Sequence, residues 1–167
     1  MDYRPTIAIT MGDPAGVGPE VIVKALADPV LRQRARYVIY GMNELLHYAA
    51  DLAEFDVFWW RAQYNGRLKG YPHDVVVVDY DQYSMLGSAV RSPSKMGGEA
   101  SMRFCVDAIE AAQKKLVDAV VTAPIAKGQL ITRQNTQVPA GSRIAALRAK
   151  QDAMLGYAPA VAQAVPA

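Results

Sequence analysis

Four consecutive valines, Val75-Val76-Val77-Val78, flanked by Asp74 and Asp79, constrain the fold of this chain more than any other stretch. A β-branched run with no polar alternation has no face suited to water, so it fits a strand covered on both sides, as in a parallel sheet packed between helices. Three other stretches read as strands: Thr6-Ile7-Ala8-Ile9-Thr10, Tyr37-Val38-Ile39-Tyr40-Gly41 and Asp118-Ala119-Val120-Val121-Thr122-Ala123. The first stops at Gly12-Asp13-Pro14, and Pro124 ends the last because proline has no ladder donor. A fifth, exposed strand is expected over Phe55 to Trp60, followed by an irregular surface excursion from Trp60 to Pro72.

Helical patterns fill the intervals. Pro19 and Glu20 open a helix after Gly18, with the acid matching the helix dipole, and the helix is expected to end near Asp28-Pro29. Asn43 can cap a second helix running to about Ala53. Gly97-Gly98-Glu99 opens a third, with Met102, Cys105, Val106, Ile109 and Ala112 as its apolar positions; Arg103, Asp107, Glu110, Lys114 and Lys115 read as mostly solvent-facing. Asp81 to Ser94 reads as a long polar loop, a length often tied to function. This alternation predicts an α/β fold: a doubly wound, mostly parallel sheet in three α/β/α layers.

Composition narrows the function classes. In 167 residues, 51% are hydrophobic and 20% charged, which suits one globular core and excludes disordered and collagen-like classes. No apolar run approaches the ~20 residues that span a bilayer, and the N-terminus lacks the flanks of a signal peptide, so the cytoplasm is the expected compartment. Cys105 is the single cysteine, which excludes an intrachain disulfide and reads as a buried small hydrophobe. With His47 and His73 the only histidines, no metal site can be argued from spacing. The net charge of +2 is scattered, and the Trp59-Trp60 pair is not interleaved with a basic stripe, so nucleic-acid binding is not expected.

Three stretches have the residue types for chemistry. Thr10-Met11-Gly12-Asp13-Pro14-Ala15-Gly16-Val17-Gly18-Pro19-Glu20 is a glycine-rich link between a strand and a helix start. Its glycines permit close backbone approach, and free amides there can face a phosphate or carboxylate. Its spacing fits neither the dinucleotide fingerprint nor the P-loop, so the alternative is a purely structural turn. Thr122-Ala123-Pro124-Ile125-Ala126-Lys127 sits at the C-terminal end of a strand, where open α/β sheets bind ligands, and offers a hydroxyl and a cation. Ser92-Pro93-Ser94-Lys95-Met96-Gly97-Gly98-Glu99 reads either as another anion contact or as a helix cap.

The segment Ile9 to Glu20 and the segment Val117-Asp118-Ala119-Val120-Val121-Thr122-Ala123-Pro124-Ile125-Ala126-Lys127 resemble signatures of the 4-hydroxythreonine-4-phosphate dehydrogenase family. The resemblance covers roughly residues 5 to 127. It implies an α/β/α subunit, a homodimer, and metal-assisted, NAD-linked oxidation of a phosphorylated hydroxy acid with decarboxylation, in the vitamin B6 route; related members take phosphorylated sugar acids. Asp13, Gly16, Gly18, Thr122 and Lys127 are the substrate-binding positions it points to.

Three departures accompany it. Ala126 stands where the family has asparagine. The family's Gly-His-Thr-Glu segment is absent, and its metal-binding histidines and nicotinamide-binding residues lie further on, in a second half that this chain does not contain. The expectation is therefore residues 1–127 as the N-terminal portion of a dehydrogenase-like subunit, incomplete relative to the family. Residues 128–167, rich in alanine and arginine, are expected to be a poorly ordered or partly helical tail, as a truncated or out-of-frame reading would give. Such a chain would bind a phosphorylated hydroxy acid without turnover, lack residues for NAD and the divalent metal, and self-associate through exposed sheet edges. The alternative is a non-catalytic α/β phosphometabolite-binding or interaction module.

Overall fold

A computed structural model describes residues 4–67, 69–86 and 94–125. Its elements are β1 (Thr6–Thr10), α1 (Gly18–Leu26), α2 (Pro29–Arg34), β2 (Arg36–Gly41), α3 (Asn43–Leu52), β3 (Trp60–Gln63), β4 (Val75–Asp79), a 3-10 turn (Asp81–Leu86), α4 (Lys95–Gln113) and β5 (Ala119–Thr122). The five strands form one sheet in the order β3-β4-β2-β1-β5, and every pairing is parallel. From β1 the chain steps outward through β2, then returns past β1 to place β5 on its other side. Parallel crossovers are right-handed, so this reversal puts α4 on the face opposite α1 and α3. The arrangement is the doubly wound α/β fold expected from the alternation.

Coverage of both faces is visible in the burial of the central strands. All five residues of β4 are buried, and so are Tyr37–Gly41 of β2. Such strands have no wet face, which is why valine can fill four positions in a row. The core joins these strands to Ile22, Val23 and Leu26 of α1, Leu46, Ala49 and Ala50 of α3, and Ala100, Phe104, Ala108 and Ala111 of α4.

Several local expectations are corrected. Asp28-Pro29 ends α1 but also begins α2: the Asp28 carboxylate accepts from the Val30 amide at 2.8 Å, and Pro29 takes the first helical position. The strand expected over Phe55 to Trp60 instead starts at Trp60, inside the stretch read as irregular, because its register is set by pairing Trp60–Gln63 with Val76–Asp79. Asn43 opens α3 but does not cap it. Asp79, at the end of β4, accepts from the Asn43 amide at 2.8 Å, while the Asn43 side chain accepts from the Trp59 indole at 3.0 Å.

The buried face of α4 is also rotated from the one expected. Met102, Val106, Ile109 and Ala112 are only partly buried, whereas Ala100, Ser101, Phe104, Cys105, Asp107, Ala108 and Ala111 are buried. Small alanines let the helix sit close to the sheet, and that brings Asp107 inside with 1% of its surface exposed. Its carboxylate accepts from the Tyr80 hydroxyl at 2.7 Å and from Arg103 Nε at 2.9 Å. Arg103 also donates to the Tyr64 hydroxyl, and the Tyr64 ring stacks on Tyr80 with centroids 4.2 Å apart. A carboxylate that reads as solvated thus fastens α4 to the ends of β3 and β4.

Candidate functional site

The direction of winding reverses between β1 and β5, so the crevice between their C-terminal ends is where an open α/β sheet binds ligands. Both loops singled out in the sequence leave the sheet there. Thr10 and Thr122 are opposite one another in the β1–β5 ladder, and the Ala123 amide donates to the Thr10 carbonyl at 3.0 Å. One residue further on, the Asp13 amide donates to the Pro124 carbonyl at 3.1 Å. On the other side the Met11 amide reaches the Tyr40 carbonyl at 2.9 Å, so the loop is held between β2 and β5.

Two glycines make this closeness possible. Gly12 has φ +74°, and a Cβ there would lie 2.3 Å from the Pro124 carbonyl oxygen. At Gly18 a Cβ would lie 2.0 Å from the Met11 carbonyl oxygen and 3.3 Å from the Ala123 methyl. Both glycines are therefore required by backbone packing, which is the structural reading of the glycine-rich loop. Gly16 is different: it is exposed, its amide donates to the Asp13 carbonyl at 2.9 Å, and it lies at the outer turn of the loop.

Asp13 is 5% exposed, and its carboxylate accepts from the Ala15 amide at 3.0 Å. That hydrogen bond across two residues fixes the carboxylate at the head of the loop. Thr122 is exposed on β5, two residues before the Pro124 carbonyl that holds the Asp13 amide. Of the expected substrate-binding residues, Asp13, Gly16, Gly18 and Thr122 thus share one edge of the sheet, while Lys127 lies outside the described residues. Beneath them the Thr10 hydroxyl and the Cys105 thiol are 3.7 Å apart, and burial pushes the thiol above its ordinary range, partly offset by the threonine. Cys105 is 1% exposed and serves as a small core residue, as its sequence context indicates.

The third stretch resolves as a cap. The Ser94 hydroxyl accepts from the Gly97 amide at 3.0 Å at the start of α4, while Ser92 and Pro93 lie outside the described residues.

A second concave region escaped the sequence reading. A cavity of about 260 Å³ is lined by Met42, Asn43, Glu44, Arg61, Asp79, Tyr80 and Asp81, at the same C-terminal edge but beyond β2. Arg61 bridges Asp79 and Asp81 at 2.6 Å each, and Gln63 holds Asp81 at 2.7 Å. Burial raises the Asp79 carboxyl above the usual range; its hydrogen bond to Asp81, and the Arg61 guanidinium, lower that of Asp81. Arg61 and Gln63 come from β3, Asp79 from β4 and Asp81 from the 3-10 turn that follows, and the pairing of β3 with β4 brings Arg61 and Gln63 to the two carboxylates.

Among the described residues, no three histidine, cysteine or carboxylate side chains cluster so as to hold a metal ion. None of the described helices is long and apolar enough to cross a membrane.

Comparison with known proteins gives a consistent picture. The sequence model of the family described as pyridoxal phosphate biosynthetic protein PdxA matches residues 33–156. The chain is 31% identical over 125 residues to a 4-hydroxythreonine-4-phosphate dehydrogenase of Trichlorobacter lovleyi, a match covering 74% of this chain and 37% of the relative. It is 31% identical over 129 residues to a D-threonate 4-phosphate dehydrogenase of Cupriavidus necator, covering 77% and 38%. The crystal structure of a 4-hydroxythreonine-4-phosphate dehydrogenase from Burkholderia phymatum superposes with a TM-score of 0.65 at 28% identity, covering 89% of this chain and 44% of that one. The chain spans less than half the length of each of these relatives.

Proposed function

Because this chain belongs to the PdxA family of pyridoxal phosphate biosynthetic proteins, we propose that it carries the β1–β5 crevice of a dehydrogenase acting on a phosphorylated hydroxy acid, and that the crevice faces the substrate. The relatives are named for 4-hydroxythreonine-4-phosphate and D-threonate 4-phosphate, which share a phosphate monoester, one free hydroxyl group and a carboxylate. The observation that supports the reading is the tie between the loop holding Asp13 and the end of β5 at the reversal of winding: Thr10 is opposite Thr122, and the Asp13 amide donates to the Pro124 carbonyl.

In this reading Asp13 accepts a hydrogen bond from a substrate hydroxyl, Thr122 contributes a hydroxyl, and Gly16, Gly18 and Lys127 belong to the anion-facing side. A nicotinamide cofactor would accept the hydride when bound. The chain acts in the cytoplasm and associates as a homodimer or higher species in the same reading. By itself it orients and binds without turning substrate over.

Titration calorimetry with 4-phosphohydroxythreonine and 4-phosphoerythronate tests this. Binding to the full chain that weakens about tenfold in Asp13→Asn, a loss on the order of 1.4 kcal/mol, supports the reading. Equal binding by the variant, or none by the folded chain, overturns it.

A further inference from the structure

The direction of α4 fixes what it presents to the crevice from the face opposite α1. Just past its end, the Asp118 amide donates to the Thr6 carbonyl at 2.7 Å, at the start of β1. Its Cys105 thiol lies 3.7 Å from the Thr10 hydroxyl, at the other end of the same strand. The helix therefore runs against β1 and begins at the edge of the sheet from which both loops leave. Ser101 is one turn before Cys105, roughly 6 Å nearer that edge, which places it past the last residue of β1 and level with the loop that holds Gly12 and Asp13. Helical side chains lean toward the start of their helix, so the hydroxyl is carried further the same way.

Ser101 is 1% exposed, and its hydroxyl has no hydrogen-bond partner among the described residues. A helical serine commonly bonds the carbonyl four residues back, but this one does not use that of Gly97. A buried hydroxyl left unpaired destabilises a fold. Alanine, which fills the buried face of α4 at Ala100, Ala108 and Ala111, would fit without that penalty. Thr10 nearby is also fully buried, and its hydroxyl meets the Cys105 thiol, a weak partner.

The surroundings decide what group could complete Ser101. Gly97, Gly98, Phe104 and Cys105, one turn to either side of it, are buried and none is an acid or a base of the carboxylate or amine kind. A charged group brought against them would lose its water with no counter-charge, whereas a hydroxyl would gain a donor. Gly97 and Gly98 also put no side chain on the turn of α4 that lies between Ser101 and the edge.

We propose that Ser101 is a ligand contact of the crevice, donating a hydrogen bond to the oxygen of a free hydroxyl of the phosphorylated hydroxy acid. Asp13 accepts from that hydroxyl and Ser101 donates to it, so the two hold it from different elements. The inference rests on the functional reading of the crevice and adds a residue of α4 to it.

Titration calorimetry of the full chain with 4-phosphoerythronate, alongside urea denaturation, tests it. Ser101→Ala removes an unpaired hydroxyl, so it is expected to hold or raise the urea midpoint while weakening binding about fivefold. 4-Phosphooxybutyrate, which keeps the phosphate and carboxylate without hydroxyls, should bind both proteins equally. The proposal falls if Ser101→Ala binds 4-phosphoerythronate as the unaltered chain does, or if its midpoint drops, since the hydroxyl would then have a structural partner. It falls too if 4-phosphooxybutyrate loses affinity by the same factor, which would place the contact on an anionic group. Asp13→Asn separates the two readings. Binding that depends on Asp13 but not on Ser101 sinks this inference alone, binding that depends on Ser101 but not on Asp13 sinks the role of Asp13 alone, and no binding by the folded chain sinks both.

Discussion

The Asp13 amide donates to the Pro124 carbonyl at 3.1 Å, which ties the loop after β1 to the residues after β5 at the point where the sheet reverses its winding. A link between residues so far apart in the chain depends on the backbones approaching closely. Gly12 permits that approach.

Alanine at Gly12 should therefore be far more costly than alanine at Gly66. Both glycines have positive φ, but a Cβ at Gly12 would lie 2.3 Å from a backbone oxygen, whereas at Gly66 nothing lies within 4 Å. Gly66→Ala is expected to lose ~1 kcal/mol from backbone strain alone, and Gly12→Ala about 3 kcal/mol or more as the loop separates from β5. Urea midpoints of the two variants check the difference; equal losses would mean that the close approach is not what requires Gly12.

Asp107 should behave as a structural residue. Its carboxylate holds Tyr80 and Arg103 while 1% exposed, so Asp107→Ala leaves a buried phenol without its acceptor and is expected to cost about 3 kcal/mol. Asp107→Asn keeps an acceptor for Tyr80 and should lose about half as much. Denaturation of both variants, with near-ultraviolet circular dichroism reporting the stacked Tyr64 and Tyr80, distinguishes this from a solvated residue, which would show neither loss.

Alkaline pH should destabilise the fold before it affects an exposed tyrosine. Burial raises Tyr40, Tyr80 and Cys105 above their ordinary ranges, with the Asp107 charge adding to the effect on both tyrosines. Groups with raised folded pKa values hold their protons longer folded than unfolded. Their contribution is full below the unfolded values, ~8.5 for cysteine and ~10 for tyrosine, and is lost as pH rises from there toward the folded values. Urea midpoints measured upward from neutrality should fall through this window. A midpoint that stays level past the tyrosine range would contradict the burial of these groups.

The extent to which the sequence shows all this follows from what is local. The strands over Thr6–Thr10 and Val75–Asp79 are legible because each declares itself in five residues. The β1–β5 crevice is legible because both loops carry glycine or proline immediately after a strand. β3 is not, since Trp60–Gln63 has mixed polarity and becomes a strand only by pairing with β4. Asp107 is misread because alanines, rather than the larger apolar residues of α4, face the sheet. The Asp79–Arg61–Asp81 cluster depends wholly on tertiary pairing, and Asp79 takes the capping role that Asn43 advertises.

Catalytic completeness remains the most direct test of the whole account. The purified chain is mixed with NAD, a divalent metal and either 4-phosphohydroxythreonine or 4-phosphoerythronate, and NAD reduction is followed by absorbance. The account predicts no turnover, with substrate binding still measurable by calorimetry; metal-dependent NAD reduction by this chain alone would contradict it.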